Sequence, residues 1–331
     1  MATTLSPATT DFTATTRKSE RQWQMIVRRF RRHRMAMVSL GVLVVIFTAS
    51  LLAPVIAPFP RDAIVLGRTF MTPGGTDANG RLHILGTDHL GRDYFTRLLY
   101  AARVSLLVAV TVQTISAVIG ITLGLLAGYF GGWVDIAIMR TVEFVSTFPA
   151  LTILLIVATI LLRNEDLITL PDFVTRSLSA LMSVSPREAK QVALIIFTLA
   201  LLGWTGEARL MRGQVLAVRE QPYVESARAL GSSNLRIVAR HVFPNAYPPL
   251  IVSYTLGLNG ALVTESALSF LGFGIQDPTP TWGNMLAFAN SYMFNHPWMP
   301  LVPGLPILLV SLAINYVGDG MRDALDPKMR V

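Results

Sequence analysis

The chain has 331 residues, of which 52% are hydrophobic and 15% charged, with mean hydropathy +0.51 and a formal net charge of +8. A soluble domain carries about 25% charged residues, so this composition excludes a globule with a water-facing surface and requires one that largely meets lipid. In so hydrophobic a chain the basic excess belongs beside membrane spans and not on nucleic acid. The absence of cysteine excludes disulfides, thiolate metal sites and a cysteine nucleophile.

Residues 1–21 are rich in Thr, Ala and Ser and read as a disordered cytoplasmic tail. Residues 22–60 combine a basic amphipathic helix over 22–34, lying on the membrane surface, with a first span over 35–60. A crossing helix needs about 20 apolar residues. The stretches free of Asp, Glu, Lys and Arg supply six spans: 35–60, 104–134, 144–162, 191–206, 242–264 (continuing past Glu265 to 272) and 299–317. Backbone polar groups cannot go unpaired in hydrocarbon, so the spans are helices. The fold class is an all-α membrane protein with six transmembrane helices. The first span is not a cleaved signal peptide: its apolar run is too long, a basic tail precedes it, and Pro54 and Pro58 close it without an Ala-x-Ala site.

Between the first two spans, 61–103 forms a long external segment with turns at Pro73-Gly74-Gly75 and Asn79-Gly80. A second external segment, 163–190, holds a short interfacial helix over 170–182. Both are simple connections or, on length, functional loops. The core over 104–320 carries the other five spans, and 321–331 is a C-terminal stretch. With the N-terminus inside, 18 of the 28 Lys and Arg fall on the inner side, in the tail to Arg34, at Arg140, between Arg209 and Arg240, and from Arg322 to Arg330. The external loop 274–300 has none. The positive-inside rule therefore predicts a multi-pass protein of the cytoplasmic (inner) membrane with both termini in the cytoplasm. The cluster from Arg28 to Arg34 lies where anionic lipid headgroups attract it.

The inside loop between the fourth and fifth spans, 213–244, has the punctuation of two short helices. Pro222 suits a first helical turn, Gly231 the C′ position that ends it, Ser232 or Ser233 the cap of the next helix, and Pro244 limits that helix. Glu225 and Arg228 stand three apart and pair on one face, while Ala227 and Ala229 keep the helix slender. Such a hairpin serves either as an ordinary connection between spans or as a rigid knob for a partner's groove.

The sequence Glu225-Ser226-Ala227, then Gly231, then Pro244 thirteen residues on, resembles the EAA signature of ABC importer permeases. Ser226, His241 and Phe243 depart from its Ala, Ile and Leu. The stretches GTDHLGRD (86–93), RLLYAARVSL (97–106), GYFGGWVD (128–135), ESALSFLGFG (265–274) and PTPTWGNM (278–285) resemble oligopeptide and dipeptide permeases of this family. The basic run 30–34 is similar to the N-terminal module of the C-type subunit. Together these cover about 28–326. The resemblance implies a type I ABC importer permease for di- or oligopeptides, working as a heterodimer with a second homologous permease. It further implies two cytoplasmic ATP-binding subunits and an extracytoplasmic substrate-binding protein. The loop 213–244 is then the coupling loop, with Tyr223, Glu225, Ala227, Arg228, Gly231 and Pro244 as its contact residues. The same subfamily includes nickel and some sugar importers.

No Gly-x-x-x-x-Gly-Lys-Ser/Thr loop is present, so the chain is not itself an ATPase and hydrolysis falls to partner chains. No catalytic, cofactor or metal constellation stands out. A secondary transporter, the different-class alternative, would need several deep ionisable residues, and Glu265 is the one candidate. It stands more than twenty residues into the fifth span, near the outer face and within reach of water. It reads as a packing carboxylate or as a translocation-path residue meeting the substrate's ammonium end.

Overall fold

A computed structural model describes residues 22–164 and 168–325; the tail 1–21 and the last residues, 326–331, lie outside the described residues. The chain opens with α1 (Gln22–Arg32), α2 (Arg34–Leu51) and the single turn α3 (Ala53–Ile56). His33 separates the first two and caps α2, its Nδ1 accepting the Ala36 N–H at 3.1 Å. The expected first span is therefore not one rod to residue 60. Pro54, which has no N–H to continue the ladder, sits in the first turn of α3, just past the break at Leu52.

The segment that follows is a folded cap. Strand β1 (Gly75–Thr76) pairs antiparallel with β2 (Leu82–His83), Gly75 opposite His83 and Thr76 opposite Leu82. Both expected turns are present, and Gly74 and Gly80 take φ +81 and +72, a left-handed backbone that glycine adopts without strain. Asp77 Oδ1 closes the hairpin by accepting the N–H groups of Asn79 and Arg81, each at 2.8 Å. The cap ends ten residues earlier than expected, because Asp93 accepts the Thr96 N–H at 2.7 Å and starts α4 (Tyr94–Phe130) there.

α4 has 37 residues, about 55 Å at 1.5 Å per residue. Gly131, at φ +66, ends it, so the expected second span loses its last residues to α5 (Gly132–Thr147). α6 (Ala150–Arg163) follows at an 87° bend. The expected third span is thus divided over two helices, broken where Pro149 withholds an N–H. α7 (Asp172–Met182) is a short helix where one is expected over 170–182. α8 (Pro186–Arg219) runs 34 residues, well beyond the expected 191–206 at both ends, started by a reciprocal cap between Ser185 and Glu188. After the inner loop, α12 (Pro248–Phe270) begins six residues later than the expected fifth span. Between α8 and α12 lie three short helices, α9 (Pro222–Ala229), α10 (Asn234–Ile237) and α11 (Phe243–Ala246). α13 (Trp282–Ser291) and α14 (Leu301–Leu325) complete the chain. Among the described residues, α2, α4, α8 and α14 suffice by length and composition to cross a membrane, and the bent pair α5–α6, taken as one span, makes five. α12, with 23 residues, is long enough but carries Asn259 and Glu265.

The central contact is α4 against α8. Gly120, Gly124 and Gly128 recur every fourth residue and form one stripe on α4. A Cβ at Gly120 would stand 2.5 Å from the Trp204 carbonyl oxygen, one at Gly124 2.8 Å from the Met211 Cβ, and one at Gly128 2.7 Å from the Val215 Cβ. Lipid tails are as apolar as leucine, so helices in a bilayer gain most from such close backbone approach. α12 packs on α4 and α14, and α14 on α2. Three apolar clusters stack along this bundle, around Val112 and Ile195, around Leu262 and Val310, and around Met211 and Val242.

Candidate functional site

At one end of the bundle the inner loop folds onto the end of α8; because α8 continues to Arg219, the loop runs over 220–247 and not over the expected 213–244. α9 (Pro222–Ala229) starts with proline in its first turn. It ends as expected at Gly231, φ +75, with Gly231 N–H donating to the Arg228 carbonyl at 3.0 Å and Ser232 N–H to the Ala227 carbonyl at 3.1 Å. That pair of bonds is a Schellman closure. α10 (Asn234–Ile237) follows with Ser233 at its cap position, but the serine side chain makes no capping bond, contrary to expectation. Pro244 does not stop the helix either. A π-helical turn, Val238–Val242, shifts the register by one, with Phe243 N–H bonding to the Val238 carbonyl. α11 (Phe243–Ala246) then takes Pro244 in its first turn, where its missing N–H costs nothing.

One face of this unit is buried. Val224, Ile237 and Val242 are fully enclosed, and Ala227 is 8% exposed, against Tyr129, Met211 and Val215. Tyr129 donates its hydroxyl to Asn234 Oδ1 at 2.9 Å, Arg219 Nη1 to the Gly128 carbonyl at 2.8 Å, and Arg212 Nη2 to Asp135 at 2.6 Å. The other face is free. Tyr223, Glu225, Arg228 and Gly231 are exposed together, beside Leu230 at 87% and Leu235 at 80%. Pro244 is exposed too, one helix away on α11, and Ala227 alone of the predicted contact residues turns inward. Glu225 and Arg228 do not pair as expected; both point to solvent, and no ion pair joins them among the described residues.

Glu265 does not reach water. It is completely buried, accepting hydrogen bonds from Ser269 Oγ at 2.8 Å, Ser105 Oγ at 3.2 Å and Ser266 Oγ at 3.5 Å, with α13 packed on the same helix. Ser105 Oγ also accepts the Trp282 N–H at 3.2 Å, so this carboxylate ties α12 to α4 and α13. Nor is it alone. Glu207, 5% exposed on α8, accepts from Gln113 Nε2 on α4 at 3.0 Å and from Ser253 Oγ on α12 at 2.9 Å. It escaped the sequence reading because the charge-free run ends at Gly206, although the helix continues thirteen residues further.

At the opposite end, an ion lattice braces the cap. Arg92 bonds Asp88 at 2.7 Å and Asp277 at 2.9 Å; Arg97 reaches Asp277 at 2.8 Å and Asp62 at 3.3 Å; Arg61 reaches Glu188 at 2.9 Å. Residues 61–93 are thereby fastened to α4, α8 and the loop before α13. Burial works to raise the Asp277 carboxyl, but the Arg92 hydrogen bond and the Arg97 and Arg92 charges outweigh it and hold it below its ordinary value. Burial likewise opposes the Arg92 charge, and Asp277 and Asp88 overcome it and keep that guanidinium above its usual value.

Several apolar helices of spanning length, an exposed helical knob at one end and an ion-braced cap at the other define a polytopic membrane subunit of the permease kind. The description "binding-protein-dependent transport system inner membrane component" matches residues 120–331, and "N-terminal TM domain of oligopeptide transport permease C" matches 21–73; the chain belongs to this family of transport permeases. It is 35% identical to the dipeptide transport system permease protein DppC of Alkalihalophilus pseudofirmus over 314 residues, 93% of this chain and 90% of that one. It is 32% identical to the oligopeptide permease OppC of Mycobacterium tuberculosis, covering 92% and 94%, and 33% identical to the glutathione permease GsiD of Pectobacterium atrosepticum, covering 93% and 92%. Among solved structures, a chain of the methionine ABC transporter MetNI in an inward-facing form aligns with a TM-score of 0.48 at 15% identity, over 70% of this chain and 96% of that one.

Proposed function

We propose that the chain is one of two homologous permease subunits of an ATP-driven importer of di- or oligopeptides. α12 serves as a sixth span, and both termini lie in the cytoplasm. Two cytoplasmic ATP-binding subunits drive the pair, and an external binding protein delivers the substrate. The observation that carries this reading is the α9 knob. Its inward face is locked to α8 and its outward face, with Tyr223, Glu225, Arg228 and Leu230, is exposed. Closure of the ATPases would push on α9, and its packing on α8 would pass that motion to the bundle. Glu265, buried and saturated by serines, fits a tie between helices better than a group meeting substrate. The peptide substrate follows the relatives named for dipeptides and oligopeptides.

A cysteine at Tyr223 should cross-link to the ATP-binding subunit in the assembled complex, and the yield should change with nucleotide. A tag near Asn79 should be reached from outside, and a reporter after Val331 only from inside. No cross-link from Tyr223, or a tag at Asn79 reached from the cytoplasm, overturns the arrangement. Binding of peptides by the cognate external protein tests the substrate class.

A further inference from the structure

We propose that α1 is a docking surface for anionic phospholipid headgroups, fixed at the membrane boundary by its packing on the end of α14. One residue, His33, separates α1 from the span α2, so α1 lies within a turn of where the hydrocarbon begins. Its inner side is anchored. Phe30 lies over Gly320 of α14, where an added Cβ would stand 3.2 Å from the Phe30 ring, and His33 Nε2 is 3.7 Å from Asp323. Its outer side presents Arg31 and Arg32, with Arg28 one turn before them, all exposed. The helix holds no acidic residue. Met25 and Val27, 37% and 46% exposed, sit among these arginines as apolar contacts for the acyl boundary.

Each element of that surface matches a phospholipid headgroup. Guanidinium forks bind phosphate oxygens in pairs, and a basic helix with apolar residues between its charges settles at the headgroup level. Because α1 packs on α14, headgroup charge would bear on the last span. The inference goes beyond the importer reading and rests only on the chain being embedded in a bilayer.

The test uses the full complex in nanodiscs of phosphatidylcholine with or without phosphatidylglycerol. Met25→Cys carries an environment-sensitive fluorophore; the chain has no cysteine of its own. Phosphatidylglycerol should shift the emission to the blue, and salt at about 1 M, where the Debye length falls to about 3 Å, should remove the shift. Replacing Arg28, Arg31 and Arg32 by Gln should weaken the response to phosphatidylglycerol by roughly fivefold per arginine, whereas replacing them by Lys should retain most of it. Equal emission in both lipid compositions overturns the proposal. A Gln variant that responds like the parent overturns it as well, and neither result bears on import.

Discussion

Gln113 on α4 donates to Glu207 on α8 at 3.0 Å, and Ser253 on α12 completes the same acceptor at 2.9 Å. Three helices of the bundle are therefore joined at a single buried carboxylate. Oε2 of Glu207 has no hydrogen-bond partner among the described residues, so its two bonds there both fall on Oε1. Gln113→Leu leaves that carboxylate with Ser253 alone. The expected loss is about 1–3 kcal/mol, read as a lower unfolding temperature of the detergent-purified complex. An unchanged unfolding temperature refutes the clamp.

The glycine stripe on α4 predicts a steep size dependence. Gly124→Val places branched carbon against the Met211 Cβ and the Ala208 backbone. Overpacking of this kind costs about 1–3 kcal/mol or more, and the expected outcome is loss of folded protein from the membrane. Gly213→Ala, on the partner helix α8 but in open space, should accumulate normally. Equal accumulation of the two variants would show that α4 and α8 are not in close contact.

Gly231 isolates a backbone requirement from a packing one. Its φ is +75, and nothing lies within 4 Å of where a Cβ would point. Gly231→Val is strained by about 1–3 kcal/mol at that residue, with no clash elsewhere, whereas Asn tolerates the left-handed region. Under the coupling reading, the Val complex assembles in the membrane but loses substrate-stimulated ATP hydrolysis, and Asn retains much of it. Full stimulation in Gly231→Val refutes the assignment of α9 as the coupling helix.

For Glu265, shape matters more than charge. Glu265→Gln keeps the side chain's shape and one acceptor oxygen, for the Ser269 hydroxyl, and turns an amide N–H toward the Ser105 oxygen in place of the second acceptor, and near-parental peptide uptake is expected. Glu265→Leu strands those hydroxyls and should cost about 1–3 kcal/mol in thermal stability. A Gln variant that folds normally yet fails to import would return Glu265 to the translocation path.

The ion lattice carries a pH signature. Asp277 has a lowered carboxyl pKa in the folded protein, so its contribution is fully present above the unfolded value of about 3.9 and is lost as pH falls through the lowered folded value. Asp277→Asn should therefore be less stable than the parent at neutral pH, and the gap should close only in acid below about pH 4. A gap that stays constant through that range would mean that the Arg92 and Arg97 bonds to Asp277 do not stabilise the fold.

The sequence by itself determined the class. A charge fraction this low can be reconciled only with lipid, apolar runs of span length can only be helical there, and the glycine that ends α9 was legible because few other residues accept a left-handed backbone. Pro222 and Gly231 marked the two ends of α9, the short helix whose outward face is exposed. Tertiary structure alone decided what these segments do inside the fold. Hydropathy stops at the first charge and so could not follow α8 to Glu207 or past it to Arg219, because a buried carboxylate is tolerated where two neighbouring helices supply donors. Nor could local chemistry foresee that Glu265 is sealed by residues 105, 269 and 282, or that Pro244 is absorbed by a π turn. Each depends on groups distant in the chain meeting in space, and the energy of that meeting is not written at either position alone.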